Sequence, residues 1–117
     1  MNRREEQDEV CRVHNLVPDP PRPTEKAGVS LTTLSRPPLN GLRHPAEAGT
    51  CGWYIWGGED FPADDADFFQ PLHVAHLPEC CPQALPFLAL PPGWRFLVAD
   101  GQVDVWYDAQ LLRSFVQ

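Results

Sequence analysis

The spacing of apolar and polar residues predicts several short strands in the later part of the chain. Residues 51–56, CGWYIW, form an apolar run that is bounded by glycines and too short for a typical helix, which favours a buried strand. Residues 94–99 and 103–108 flank the turn DGQ and predict a hairpin. The β-branched run at 29–35 predicts a further strand, and residues 72–74 predict a short strand or turn.

Proline and glycine interrupt this pattern in two segments. Residues 17–28 contain four prolines and predict an extended linker, because each proline fixes φ and removes a backbone donor. Residues 36–50 are punctuated by proline and glycine and predict a long loop. We therefore expect residues 1–28 to form a flexible Pro-rich N-terminal extension, and the folded domain to occupy residues 29–117.

The predicted helices are short. Residues 1–14 are charged nearly throughout and predict a helix that would be marginal alone. A second helical stretch follows Pro82, where Pro86 favours two short turns over one regular helix. A terminal helix is predicted at 109–116 with Asp108 as its N-cap. Together these elements predict an α+β fold, with a small, mostly antiparallel sheet and two or three short helices in a single domain.

The net charge of −7 is confined to one part of the chain. Residues 1–48 contain seven basic and seven acidic groups, whereas residues 49–117 contain nine acids and only two basic groups. All twelve aromatic residues lie in the same C-terminal part. Nucleic acid is therefore a poor partner, because phosphate binding needs clustered Lys and Arg.

The sequence also bears on the compartment. No apolar run approaches the ~20 residues needed to span a bilayer, and the opening MNRREEQDEV lacks the apolar segment of a secretory signal. We therefore expect a cytoplasmic protein that does not insert into a membrane, with its four cysteines as reduced thiols.

One constellation of metal-ligating and nucleophilic side chains is present. His73 and His76 precede the adjacent pair Cys80 and Cys81, and imidazole and thiolate are good zinc ligands. Prolines bracket the segment, and neither a paired short spacing of cysteines nor a general-base Glu accompanies it. We expect incidental histidines and structural thiols, with no metal site and no cofactor. A small metal- or thiol-dependent enzyme that uses His73, His76 and Cys81 stays open as an alternative.

Two features are typical of a protein-binding surface. Five carboxylates lie within nine positions, at Glu59, Asp60, Asp64, Asp65 and Asp67, without the alternation or central glycine of a calcium loop. Such a run is most often a solvated acidic loop, and next most often a surface for a basic partner.

The strand VDVWYD is the second feature. Alternation predicts that Val103, Val105 and Tyr107 face the core. Trp106 then lies between Asp104 and Asp108 on the opposite face. Trp is the residue type most enriched at binding hot spots, although it also packs often beneath other elements.

Three segments carry a resemblance to a known family: GTCGWYIWGGED, DFFQPLHVAHLPECCP and LALPPGWRFLVADGQVDVWYD. In this order and spacing they resemble a family of small bacterial immunity proteins that neutralise polymorphic toxins, the immunity protein 33-like group, formerly a domain of unknown function. The similarity spans residues 29–113. The family-like positions are Gly52, Trp53, Glu59, Phe68, His73, Gly93, Trp106 and Asp108. The adjacent Cys80 and Cys81 depart from the pattern, where at most one cysteine is expected.

The resemblance implies a non-enzymatic α+β protein that binds and inhibits a cognate protein toxin. It supplies no catalytic residues. Our hypothesis is stoichiometric binding to a basic toxin through an acidic, aromatic-bearing surface. A scaffold domain without a toxin partner is the remaining alternative. The candidate contacts are Glu59, Asp60, Asp64, Asp65, Asp104, Trp106 and Asp108.

Overall fold

A computed structural model of the chain describes residues 2–59, 65 and 67–113. Within them one sheet of six strands has the order β4-β1-β3-β2-β5-β6. The strands are β1 Lys26–Val29, β2 Leu39–Arg43, β3 Thr50–Gly57, β4 Gln70–His73, β5 Trp94–Ala99 and β6 Gln102–Tyr107. The helices are α1 Arg3–Val13, α2 Leu77–Cys80 and α3 Gln110–Arg113, with 3₁₀ helices at Val74–His76 and Pro82–Phe87. The pairing of β1 with β3 is parallel and the other pairings are antiparallel, which confirms the predicted α+β class.

Strand alternation gives the sheet two different faces. We call one the core face, because it carries Trp53, Ile55 and Phe96, each at most 1 % exposed. The helix α1 and the Pro82–Phe87 helix pack against each other and contribute to the same apolar cluster. We call the opposite side the outer face. It carries a smaller cluster built from Leu42, Trp56 and Leu111, with Tyr54, Phe68 and Phe69 packed against it.

The predictions with strong local signals are confirmed. The apolar run at 51–56 lies within β3, and β5 and β6 form the predicted hairpin. The terminal helix is present at Gln110–Arg113, where the backbone N–H of Gln110 donates to the Asp108 carboxylate at 3.0 Å. The rest of that predicted helix lies outside the described residues. Pro82–Phe87 is a 3₁₀ helix, as expected for a turn that contains Pro86.

The predicted loop at 36–50 is wrong in its first half. Residues 39–43 form β2, an interior strand that pairs with both β3 and β5. Gly41 makes this possible, because a Cβ at that position would lie 2.1 Å from the Phe96 ring. The proline and glycine residues on either side of β2 indicate a loop by local pattern. The pairing with β3 and β5 is what makes this segment a strand.

The predicted strand at 29–35 is also wrong. The strand β1 is displaced toward the N-terminus and ends at Val29. The segment after it turns, because the hydroxyl of Thr33 donates to the hydroxyl of Ser30 at 2.8 Å and accepts from the N–H of Gly57 at 3.0 Å. Short polar side chains that bond locally in this way compete with strand pairing.

The N-terminal segment packs on the core in the structure. The helix α1 starts with a capping box formed by Asn2 and Glu5, and it buries Gln7 and Cys11 on one face. The amide of Gln7 donates to the Leu85 carbonyl at 2.9 Å. Residues expected to form a separate extension therefore contribute to the same core as residues 29–117, because Gln7 and Cys11 lie four positions apart on one helix face.

Candidate protein-binding face

The outer face arranges its side chains in two rows that cross four strands, β3, β2, β5 and β6. Paired residues along the first row are Tyr54, Leu42, Arg95 and Trp106. Paired residues along the second row are Trp56, Asn40, Leu97 and Asp104. The predicted contacts Trp106 and Asp104 therefore lie on the same face, at the end of neighbouring rows.

Trp106 is presented on this face by the residue opposite it. The side chain is 37 % exposed, and the guanidinium of Arg95 lies 5.3 Å from its ring centroid. This cation–π contact holds the ring at the surface. Trp106 is therefore accessible from solvent next to the exposed carboxylate of Asp104, whereas a fully buried Trp could not contact a partner.

Asp108 has a different position from the other candidates. One of its oxygens accepts from Arg95 at 3.2 Å, and the other caps α3 through the N–H of Gln110. Only about a quarter of the side chain is exposed, at 24 %. Asp108 therefore stabilises the corner between β6 and α3 and fixes Arg95 under Trp106, so its charge is already paired.

The acidic loop begins beside the second row. The amide of Asn40 donates to the Gly58 carbonyl at 2.8 Å, which fixes the loop at the point where β3 ends. Glu59 follows directly and is exposed, and Asp65 is also exposed. Asp60 and Asp64 lie outside the described residues. Three strand spacings separate β3 from β6, about 14 Å, so one partner surface can reach both Glu59, just after β3, and Trp106.

The predicted core face of β6 is only partly correct. Val105 is half-buried and packs on the core cluster. Val103 and Tyr107 are 55 % and 49 % exposed. The difference arises because β6 is the last strand of the sheet, so the layer that covers the core face ends beneath it. A groove lies between α1 and β6, and sequence reasoning missed it because α1 was expected to be loosely attached.

The histidines and cysteines do not converge. His73 and His76 are both exposed, with ring centroids 6.2 Å apart, whereas Cys81 is buried. Burial raises the pKa of the Cys81 thiol to about 11, and the neighbouring Cys80 adds to the shift. A nucleophilic cysteine needs a lowered pKa, whereas the pKa of the Cys81 thiol is raised, which disfavours its reactive thiolate form. Among the described residues, no group of three or more His, Cys, Asp or Glu side chains is placed to hold a metal ion.

The shifted thiol predicts a loss of stability in alkali. An unfolded thiol titrates near pH 8.5, and Cys81 in the folded chain titrates at about pH 11. The folded state therefore has its full stability below about pH 8.5, and loses about 2–3 kcal/mol of unfolding free energy as the pH rises through 11. Urea unfolding at pH 8, 9.5 and 11 measures this loss. The variant Cys81→Ala should show a smaller loss over the same interval, and an undiminished loss would contradict the assignment.

A family model matches most of the chain. The model described as the Imm33-like domain covers residues 6–108, and the chain belongs to this family. The match begins inside α1, in agreement with the packing of that helix on the core. No curated protein and no solved structure matches the chain. In the part of the chain that the structure describes, no helix has the length and apolar character needed to cross a membrane.

Proposed function

We propose that this protein is a cytoplasmic immunity protein that neutralises a cognate bacterial toxin by stoichiometric, non-enzymatic binding. Membership of the Imm33-like family supports this, because the family implies a protein toxin as the partner in general. The observation that carries the choice of surface is the exposed Trp106, which lies beside Asp104 on the outer face.

The outer face has the composition of a contact surface. It combines an aromatic anchor with exposed carboxylates, and Trp and Arg are the groups most often found at the energetic centre of an interface. The C-terminal part of the chain, which supplies Asp104 and Glu59, holds the whole excess of acid. A basic toxin would be drawn to such a surface over long range, and this attraction would raise the association rate.

Binding of this kind inhibits a toxin by covering it. The face spans four strands, so a partner lying across it would contact the acidic loop and β6 together. The candidate contacts are Glu59, Asp60, Asp64, Asp65, Asp104 and Trp106. Asp108 supports them by its ion pair with Arg95. The toxin would lose access to its own substrate wherever this surface covers its active region.

Growth of bacteria tests the function directly. The protein encoded next to this gene is expressed in a susceptible host, with and without the immunity protein, and growth is scored. We expect growth to be restored only when both are present. If the protein protects against no adjacent toxin, the immunity function is contradicted and a scaffold domain remains. If the protein turns over the toxin catalytically, the stoichiometric mechanism is contradicted.

Charge reversal on the outer face predicts a specific loss of affinity. Asp104→Lys should weaken binding of the protected toxin by tenfold or more, because it places a cation opposite a basic surface. Glu79→Lys is the matched control, since Glu79 is an exposed acid on α2 and the neighbouring Leu77 anchors that helix in the core-face cluster. Calorimetry measures both affinities. Equal losses in the two variants would show that only net charge matters and that the outer face is not the contact.

A further inference from the structure

The strand β6 leaves one side of its backbone open. In the part of the chain that the structure describes, no strand lies beyond it. The N–H of Asp108 donates to the carbonyl oxygen of Gly93 at 2.7 Å, and every residue of β6 continues the same register opposite β5. In an antiparallel pair only every second residue turns its N–H and C=O toward the partner strand. The backbone groups of Val103, Val105 and Tyr107 therefore point away from the sheet.

This edge lacks the proline, the bulge and the short length that commonly block strand addition, and Asp104 is the one charged residue in β6. The opposite edge, β4, is four residues long and contains Pro71. The edge at β6 is six residues long and contains neither proline, glycine nor lysine. Proteins normally protect an exposed edge with such residues, because an open row of donors and acceptors recruits another strand. An unprotected edge next to exposed apolar groups is typical of a site that pairs with a partner.

Exposed apolar side chains are concentrated along the same edge. Among the residues that the structure describes, seven large apolar side chains are highly exposed, and five of them belong to β6 or to the helices beside it. They are Val13, Val103, Trp106, Tyr107 and Leu112. Val13 and Val103 also line a groove of about 410 Å³ between α1 and β6, with Val10, Phe87 and Val105. This groove lies on the core-face side of the edge and can take apolar side chains.

The charges along the edge select the kind of strand that fits. Asp104 projects from the outer-face side of β6, and the groove on the other side has Glu9 at its rim. An incoming strand would therefore place apolar residues toward the groove and Lys or Arg toward Asp104. A second copy of this chain is disfavoured, because β6 contains no basic residue and each copy carries a net charge of −7.

We propose that β6 binds the toxin by strand addition, accepting an extended segment of the toxin in which apolar and basic residues alternate. The inference rests on the proposed function for the identity of the partner. Backbone hydrogen bonds to Val103, Val105 and Tyr107 supply a register, and the alternating side chains supply the specificity. Trp106 and Asp104 are then contacts on one side of the added strand.

The edge can be tested without the toxin. The probe is a synthetic eight-residue peptide of alternating lysine and valine, added to the full ¹⁵N-labelled chain. We expect saturable shifts at the amides of Val103, Val105 and Tyr107. Two control peptides should each bind at least about tenfold more weakly. One alternates glutamate with valine and so carries negative charge in place of positive charge. The other is a lysine–valine peptide with N-methylated backbone, which lacks the N–H donors of the peptide groups.

Proline substitution separates the backbone from the side chain. Val105→Pro removes an outward N–H and leaves the pairing with β5 intact, so it should bind the lysine–valine peptide about tenfold more weakly or worse. Val105→Thr keeps the N–H and should bind within about threefold of the parent. Val103→Pro makes the same test at a more exposed position if Val105→Pro unfolds, and thermal melting of each variant monitors folding.

The outcomes distinguish the inference from the proposed function. Shifts confined to the acidic loop, equal binding of the N-methylated peptide, or pairing of β6 with a second copy would overturn strand addition. Full growth protection by folded Val105→Pro would also overturn it and leave the immunity function standing. Peptide binding at β6 by a chain that protects against no toxin would support the edge as a docking site and remove the proposed function.

Discussion

Replacing Arg43 by methionine is expected to lower the free energy of unfolding by at least about 3 kcal/mol. Arg43 is 3 % exposed, and burial lowers the pKa of its guanidinium. The side chain lies in the core and donates to four backbone carbonyls. They are Cys51 at 3.0 Å, Asp19 at 2.7 Å, Leu90 at 2.8 Å and Leu88 at 3.3 Å. Methionine fills a similar volume but leaves these carbonyls buried without their donor.

The result distinguishes a hydrogen-bonding role from simple packing. Arg43→Lys keeps the charge but cannot reproduce the planar fork of the guanidinium. It should therefore lower the free energy of unfolding, but by less than Arg43→Met. Arg22→Met is the control for loss of a cation, because Arg22 is exposed in the Pro-rich segment, and it should change stability by less than about 0.5 kcal/mol. Urea unfolding provides all three values. A loss below about 1 kcal/mol for Arg43→Met would show that the carbonyls find other partners.

Gly52→Ala is expected to destabilise the fold by about 3 kcal/mol or more. Gly52 has φ +92°. It lies where β3 bulges against β1, since the three residues of β3 between Thr50 and Tyr54 oppose a single residue of β1. A Cβ at this position would lie 1.9 Å from the carbonyl oxygen of His44. That oxygen belongs to backbone, so a rotamer change cannot relieve the contact.

A second glycine separates backbone strain from the steric clash. Gly49 has φ +77°, and a Cβ added there would meet no atom within 4 Å. Gly49→Ala should therefore lose only the left-handed backbone preference, about 1–2 kcal/mol. Thermal and urea unfolding of both variants gives the difference. If Gly52→Ala and Gly49→Ala lower the free energy of unfolding equally, the contact with His44 adds no destabilisation. In that case β3 accommodates a side chain at the bulge.

The elements predicted from sequence were those whose signals are local. The run at 51–56 and the hairpin of β5 and β6 combine apolar residues with adjacent turn residues, and both signals act within a few positions. The strand β2 has no such signal. Its Gly41 weakens strand propensity, and only the Phe96 ring from another strand explains why glycine is required there.

The candidate site was predicted unevenly for the same reason. Strand alternation predicts that Asp104 and Trp106 share a face, and they do, but it does not predict the exposure of Val103 and Tyr107 on the other face. The ion pair joins Arg95 of β5 to Asp108, just after β6, so this carboxylate is already paired, which alternation cannot predict. Burial likewise separates Cys81 from the exposed His73 and His76, although the three lie within nine positions of one another.

The sequence by itself determined the class and the chemistry of this protein. Its motifs place it in an immunity-protein family, and its composition confines the acid and the aromatic rings to the C-terminal part. The tertiary structure decided which of these groups share a surface and which edge of the sheet stays open. Composition and local pattern are properties of neighbouring residues. Burial, ion pairing and the exposed edge of β6 depend on which distant segments pack together, and α1, β2 and Arg43 are placed only by that packing.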